Sequence, residues 1–436
     1  MKIFFRMIFI SFSPMVWGLM QNFFFFLFFF MYFKVRLFNY YMNISYVFGM
    51  DMFSYLMFML SIWIISLVYI PSLSIKIFYY NYFNFLIFMF LIIFYFCFFS
   101  NSFILFYIFY EINLIPILIL IYGWGYQYER FKAGFYLLIY MIFFSLPFFI
   151  CLMVLNNFYF LFIYYLDFNN FMNLYFYIFF LMIFLVKMPL FLFHIWLPKA
   201  HVEAPISGSM ILAGVMLKLG GFGMYRVLML IFKINLKLNF LFISLCLLGM
   251  LILSFICFLQ SDLKILIAYS SVVHMGLVII GILIYNSWGI IGSLILMFGH
   301  GLCSSGLFCL SNICYLRFKS RSIFINKGLI NIYPFFSFWW FLMCSSNMSF
   351  PPSLNLFGEL FLLISLMSWL DYFWALYFFI MIFMFLYSLY LYIYTQYGKI
   401  LFYMNYLIYI NLSEYLLLFL HWLPLNLIFL LMDIFN

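Results

Sequence analysis

Residues 185–205 read LVKMPLFLFHIWLPKAHVEAP, which places two lysines, a glutamate, two histidines and three prolines within one stretch of a chain that is only 7% charged. Apolar runs flank the stretch on both sides and follow one another along the 436 residues, many of them about 20 residues long, enough to cross a hydrocarbon core of roughly 30 Å. With 70% apolar residues, 27% aromatic residues and a mean hydropathy of +1.24, the chain has too little polar surface to stay in water. Segments such as Phe90 to Phe99 lack the alternation that a membrane-spanning β-strand needs. The reading is an all-α polytopic membrane protein in which residues 185–205 are a deliberate interruption.

Composition also narrows the chemistry. The 71 phenylalanines, 38 tyrosines and 30 methionines are what A+T-rich codons supply at lipid-facing positions where leucine would serve equally well. The net charge of +9 is spread over short loops, which suits phospholipid headgroups better than nucleic acid. The eight cysteines contain no CxxC pair, so neither an iron–sulfur cluster nor a zinc site is expected. HVEAP departs from HExxH, and LKLGGFGMYR departs from the GxGxxG that follows a strand, so zinc-protease and dinucleotide sites are not expected either. The opening MKIFFRMIFISFSPMVWGLM has no small-residue cleavage site and runs on into Phe23 to Phe33, which reads as a retained first helix. An Arg- and Ser-rich transit peptide is absent too; for a mitochondrial protein that fits synthesis inside the organelle.

Polar and Gly/Pro punctuation divides the chain into about 14 spans: 3–20, 22–33, 52–70, 83–99, 102–122, 133–155, 173–189, 207–230, 238–259, 263–284, 287–315, 330–370 as one broken helix, 373–397 and 412–432. Fourteen spans place both termini on one side. Loop Lys and Arg number 7 on that side (Lys2, Arg6, Lys34, Arg36, Arg226, Lys233 and Lys237) against 10 on the other, which points the termini outward. The longest polar connection, Arg317 to Lys327, is too short to fold alone, so chemistry must take place within the membrane or in partner chains.

Six ionisable residues fall inside these spans: Glu111, Lys187, Lys218, His274, His300 and Glu359. A charge at the bilayer centre costs roughly 2.5–3.5 kcal/mol on insertion scales, so such residues mark ion or substrate paths by default. Each has a bland explanation when taken singly, since a histidine can be structural and a lysine near a helix end can snorkel to the interface. Six of both signs together point instead to a path. Lys187 stands beside Pro189, and Glu359 follows Pro351 and Pro352, so each half of the chain carries one broken helix with an ionisable group at the break. That is the pattern of an inverted-repeat transporter, with halves at about 83–230 and 238–397. Gly208, Ala213, Gly214, Gly220, Gly221 and Gly223 are expected to admit close helix packing around Lys218. Bis-histidine haem ligation by His274 and His300 is a further reading of the same residues.

The segments FHIWLPKAHVEAPISGSMILAGVMLKLGGFG (193–223), QSDLKILIAYSSVVHMG (260–276), FGHGLCSSGLFCLSN (298–312) and PPSLNLFGEL (351–360) carry a specific resemblance. In this order they resemble the subunit 4 family of mitochondrial NADH:ubiquinone oxidoreductase, respiratory complex I, an antiporter-like membrane subunit. The likeness is close from about Glu111 to Glu359 and weak over the first 80 residues. In CYLRFKSRS (314–322) Leu316 stands where the family commonly has an acidic residue, which puts a loop ion pair in doubt.

The resemblance implies that Glu111 pairs with Lys187, that Lys218, His274 and His300 continue a central polar axis, and that Glu359 ends it. It implies that these groups move protons across the inner mitochondrial membrane, driven by NADH oxidation by ubiquinone in other subunits. FMN, iron–sulfur clusters, NADH and the quinone head group would then belong to the parent complex, with no cofactor or metal in this chain. Neighbouring antiporter-like subunits and phospholipids are the implied partners. His194, Lys199, His201 and Glu203 fall in the connection after Lys187, held by Pro198 and Pro205, either as a feed to the axis or as a satisfied loop network. Two other readings stay open on sequence: a subunit of a stand-alone cation/proton antiporter, and a membrane scaffold with inert buried charges.

Overall fold

The computed structural model describes residues 17–34, 48–72, 79–158, 174–230, 232–399 and 409–430. Among them the structure is helical, with two isolated β-bridges, Phe48 to Ser100 and Asp262 to Ser322, as the extended pairings. The helices are α1 (Trp17–Lys34), α2 (Met52–Val68), α3 (Tyr80–Phe99), α4 (Phe103–Ile112), α5 (Leu114–Trp124), α6 (Arg130–Phe158), α7 (Leu174–Lys187), α8 (Trp196–Glu203) and α9 (Ile206–Ile211). A π-helical turn, Leu212–Met216, joins α9 to α10 (Leu217–Leu230). There follow α11 (Phe232–Leu259), α12 (Leu263–Ile284), α13 (Ser287–Phe318), α14 (Leu329–Ile332), α15 (Pro334–Asn347), α16 (Leu354–Trp369), α17 (Phe373–Gln396) and α18 (Leu412–Leu427). Among the described residues, nine helices are long and apolar enough to cross a membrane, and shorter apolar helices at 20–32, 52–68, 175–187 and 354–369 accompany them. The fold is that of an all-α polytopic membrane protein with two broken helices.

Several expected boundaries move. The division at Gln21 and Asn22 does not occur, because α1 runs through it; residues 1–16, and with them most of the span expected at 3–20, lie outside the described residues. The span expected at 102–122 is interrupted at Asn113, between α4 and α5. Pro116 explains this: it has no N–H for the Ile112 carbonyl four residues back, so helical hydrogen bonding falters one residue after Glu111. The connection expected after Lys187 contains a helix, α8, in which Pro198 sits within the first turn, where a missing N–H is tolerated, and Pro205 follows the end.

Depth separates the helices into two classes. In their most apolar windows, the continuous stretch Ile206–Met229 and the long helix α13 are wholly buried within the chain, whereas α6 and α17 are 33% buried and the final helix 22%. The two enclosed helices carry glycine and serine freely, while the outer ones present Phe143, Phe378 and Leu416 to their surroundings. In lipid there is no hydrophobic drive between helices, so close approach of small residues supplies the packing instead. Gly220 does this at a decisive place: a Cβ there would lie 2.7 Å from Met188 Cγ and 3.4 Å from Lys187 Cβ, so α10 passes directly against the end of α7.

Buried ion pairs tie the ends together. Asp51 caps α2 by accepting from Ser54 N at 3.0 Å and pairs with Arg226 at 2.6 Å. Arg226 was expected among loop residues; it is buried within α10, where the guanidinium also lies over the Phe222 ring. Arg317 makes a two-pronged pair with Glu414 of α18, so the acid that Leu316 does not supply comes from another helix. Arg321 faces Glu203 at 3.8 Å.

Candidate functional site

Both broken helices are stabilised by side chains that replace lost backbone donors. At the first break, Pro189 offers no N–H to the Leu185 carbonyl. Leu190 N takes that carbonyl at 2.9 Å, and the indole Nε1 of Trp196 takes the next one, Val186 O, at 3.0 Å. Leu192, within the turn, adopts φ 86°, a left-handed backbone uncommon outside glycine. At the second break, Phe350 N takes Ser345 O at 3.0 Å and the amide of Asn355 takes Ser346 O at 2.8 Å. Irregular backbone at membrane depth survives where it is enclosed by protein in this way.

The first break ends α7 on Lys187, which is buried. Its ammonium donates to Tyr110 O at 3.3 Å and lies 3.0 Å from the centre of the Tyr110 ring. Glu111 is the next residue, and its carboxylate and the Lys187 ammonium are within electrostatic reach of one another. No ion pair within 4.0 Å joins them, so the pairing expected from the resemblance takes an indirect form, with Tyr110 as the residue in contact.

The second group is contiguous. Lys218 Nζ binds Ala213 O in the π-helical turn and lies 2.9 Å from His300 Nδ1. The His300 and His274 rings contact each other with centroids 5.4 Å apart. His274 Nδ1 in turn lies 3.5 Å from Glu359 Oε1, while the other carboxylate oxygen accepts from Ser349 Oγ. Tyr387 OH stands 3.4 Å from His274 Nε2, and Tyr377 OH donates to the backbone carbonyl of Glu359 at 2.7 Å. The spatial order is Lys218, His300, His274, Glu359, with His300 and not His274 next to the lysine. All four side chains are buried. Among the described residues no group of three or more His, Cys, Asp or Glu side chains is placed to hold a metal ion.

The residues after Lys187 separate in the structure. His201 is buried on α8, stacked on Phe308 with ring centroids 4.7 Å apart, and both its ring nitrogens lack hydrogen-bond partners. Glu203 faces Arg321, while the exposed Lys199 lies over the Tyr136 ring at 3.6 Å. His194 stacks on Phe191. Lys264 is buried and donates to Ala204 O at 3.2 Å and Val202 O at 3.5 Å. A cation there neutralises the last carbonyls of α8. Tyr126, in the loop before α6, donates to Asn312 Oδ1 at 3.4 Å, and burial pushes its phenol up to about 12, so it remains a neutral donor.

Comparison with known proteins adds the lineage. The family model for the NADH:quinone oxidoreductase/Mrp antiporter membrane region matches residues 100–386, and that for the amino terminus of NADH-ubiquinone oxidoreductase chain 4 matches residues 1–100. The chain is 52% identical over 395 residues to NADH-ubiquinone oxidoreductase chain 4 of Locusta migratoria, covering 88% of this chain and 87% of the relative. It belongs to the NADH-ubiquinone oxidoreductase chain 4 family. The chain 4 of Aedes aegypti is 47% identical over 425 residues, 96% of this chain and 95% of that one. Among solved structures, a chain of respiratory complex I from Thermus thermophilus superposes with a TM-score of 0.84 at 21% identity, over 98% of this chain and 92% of the other. A chain of the Mrp complex from Dietzia sp. DQ12-45-1b superposes with a TM-score of 0.74 at 16% identity, over 81% and 68%. These two share the fold; the separation from the antiporter side rests on the chain 4 amino terminus and on the curated relatives.

Proposed function

We propose that this chain is the proton-translocating membrane-arm subunit of NADH:ubiquinone oxidoreductase, and that Glu111, Lys187, Lys218, His300, His274 and Glu359 carry the protons. Membership of the chain 4 family supports the first statement. The second rests on one observation: Lys218, His300, His274 and Glu359 form a chain of contacts between enclosed helices. Lys218 hands a proton from Nζ to His300 Nδ1, a ring rotation or one bridging water spans the two imidazoles, and His274 faces the Glu359 carboxylate. Imidazole suits this relay because its unperturbed pKa lies near neutrality. Glu111 acts on Lys187 through its charge: a carboxylate drawn away or neutralised loosens the hold of the ammonium on its proton. Moving one proton against the membrane potential requires about 2.3 kcal/mol per 100 mV, which a modest charge rearrangement supplies.

Electron transfer from NADH to ubiquinone, with FMN and iron–sulfur clusters, takes place in other subunits of the complex; this chain holds none of those groups. The two breaks, one in each of residues 83–230 and 238–397, support an inverted-repeat arrangement of the two halves. The chain sits in the mitochondrial inner membrane, is made within the organelle, and meets neighbouring antiporter-like subunits and phospholipids. Lys218→Met tests the reading: the assembled complex in sealed vesicles is expected to lose NADH-driven proton pumping. Unchanged pumping by fully assembled complex would sink it. Co-purification without flavin and iron–sulfur subunits would point instead to a stand-alone antiporter.

A further inference from the structure

The break between α15 and α16 gathers more polar groups than its backbone requires. Ser346, Asn347, Ser349, Ser353 and Asn355 fall within ten residues, and apart from the partly buried Ser349 they are all buried. Cys303 of α13 points into them: its Sγ is 3.3 Å from Ser346 Oγ, 3.7 Å from Met343 O and 3.9 Å from Asn347 Oδ1. Among the described cysteines, Cys309 contacts a methionine sulfur instead. Cys303 lies one turn of α13 beyond His300, the ring that meets Lys218 Nζ at 2.9 Å.

Two atoms in this cluster have no partner. Asn355 donates to Ser346 O through its amide nitrogen, yet its Oδ1 is unpartnered and lies against α13 at Gly299, where a Cβ would approach it to 2.4 Å. Ser353 Oγ is also buried and unpartnered. Buried acceptors and hydroxyls of this kind are nearly always hydrogen-bonded in native proteins, often to ordered water. At the far side of the break, Ser349 Oγ donates to the Glu359 carboxylate.

We propose that the α15–α16 break carries a second polar route from Lys218 to Glu359, through Cys303, Ser346, bridging water and Ser349, which runs beside the histidine pair. The proposal rests on the reading of Lys218 and Glu359 as proton carriers. Along this route each thiol, water or hydroxyl accepts a proton on its sulfur or oxygen as it releases its own. A proton lost by the Lys218 ammonium is gained by the Glu359 carboxylate, and no intermediate group stays charged. The route explains why the break is lined with small hydroxyl and amide side chains and closes over them with Asn355.

The test is a mutant cycle in the assembled complex, reconstituted in sealed vesicles, with NADH-driven proton uptake and the NADH:quinone rate read together. Lys218→Met sets the background. His274→Phe interrupts the histidine route and is expected to keep measurable pumping. Adding Cys303→Val is expected to bring that residual to the background, about fivefold or more below the product of the two single effects, as for strongly coupled sites. Cys303→Ser in place of Cys303→Val is expected to restore the residual, because it returns a proton-relaying group of similar size. The proposal is overturned if His274→Phe alone already falls to the Lys218→Met background, or if the double variant pumps as well as His274→Phe. Should His274→Phe not assemble, His274→Met replaces it in the same cycle. Normal pumping by Lys218→Met would instead remove the underlying axis, an outcome distinct from either.

Discussion

The two broken helices use one backbone device for opposite charges. Each is interrupted next to proline, and at each a side chain from across the break donates to a backbone carbonyl, Trp196 to Val186 O in the first and Asn355 to Ser346 O in the second. Lys187 is the last residue of α7, at the negative end of a helix dipole, whereas Glu359 lies in the second turn of α16, toward its positive end. The surroundings differ as well. Lys187 rests on the ring and carbonyl of Tyr110 without a direct carboxylate partner, while Glu359 continues an unbroken line of contacts to Lys218. A shared break therefore does not dictate shared surroundings: Glu359 stands at the end of a line of contacts that leads to Lys218, whereas Lys187 rests on Tyr110.

The largest effect that sharpens this comparison is on pumping. Glu359→Gln replaces a group that takes and gives protons with one that does neither, and a loss of about a hundredfold in NADH-driven proton uptake is expected. Lys187→Met is expected to cause a smaller loss in the same assay; the reverse order would break the comparison.

Packing gives the next effect. A Cβ on Gly358 would meet the α13 backbone at Leu296 N, 2.9 Å away, and at Leu296 Cα, 3.1 Å away, whereas one on Gly220 meets Met188 Cγ at 2.7 Å with the Met188 backbone N at 3.2 Å. Gly358→Ala is expected to cost about 3 kcal/mol and Gly220→Ala about 1 kcal/mol, within the range for overpacking. The yield of assembled complex reports both, and equal yields would show that the two breaks are equally tolerant.

The smallest effect concerns the carbonyl donors. Trp196→Phe leaves the buried Val186 carbonyl unpaired, at a cost of about 1 kcal/mol or somewhat more, and Asn355→Leu, which removes the shortest hydrogen bond to the Ser346 carbonyl but leaves Ser349 N in place, is expected to cost less. Deuterium uptake is expected to rise over residues 188–196 in the first variant and 346–356 in the second, and to stay unchanged at the other break.

Much of the architecture is legible in residue order because lipid allows so few solutions. Proline beside an ionisable group marked both breaks, and a charge surrounded by apolar residues marked Glu111, Lys218 and Glu359 as inward-facing. Other features carried weaker signals. Pro116 was the visible cause of the interruption after Glu111, but proline in a membrane helix is often absorbed. Arg226 looked like a loop residue because it lies near a span end, and only packing reveals that it pairs with Asp51 and that Lys264 reaches the last carbonyls of α8. The π-helical turn before Lys218 had no mark at all, since one extra residue in a helical turn leaves composition and hydropathy unchanged.

By itself, then, the amino-acid sequence determined the class of the protein, the two proline breaks beside Lys187 and Glu359, and which six ionisable side chains fall within its spans. Tertiary structure alone decided their order and their contacts: His300 before His274, Tyr110 against Lys187, Cys303 turned into the second break. The reason is physical. Desolvation penalties and missing N–H groups are properties of single residues and their neighbours in sequence. Which nitrogen lies 2.9 Å from which other depends on how the enclosed helices approach and rotate against one another.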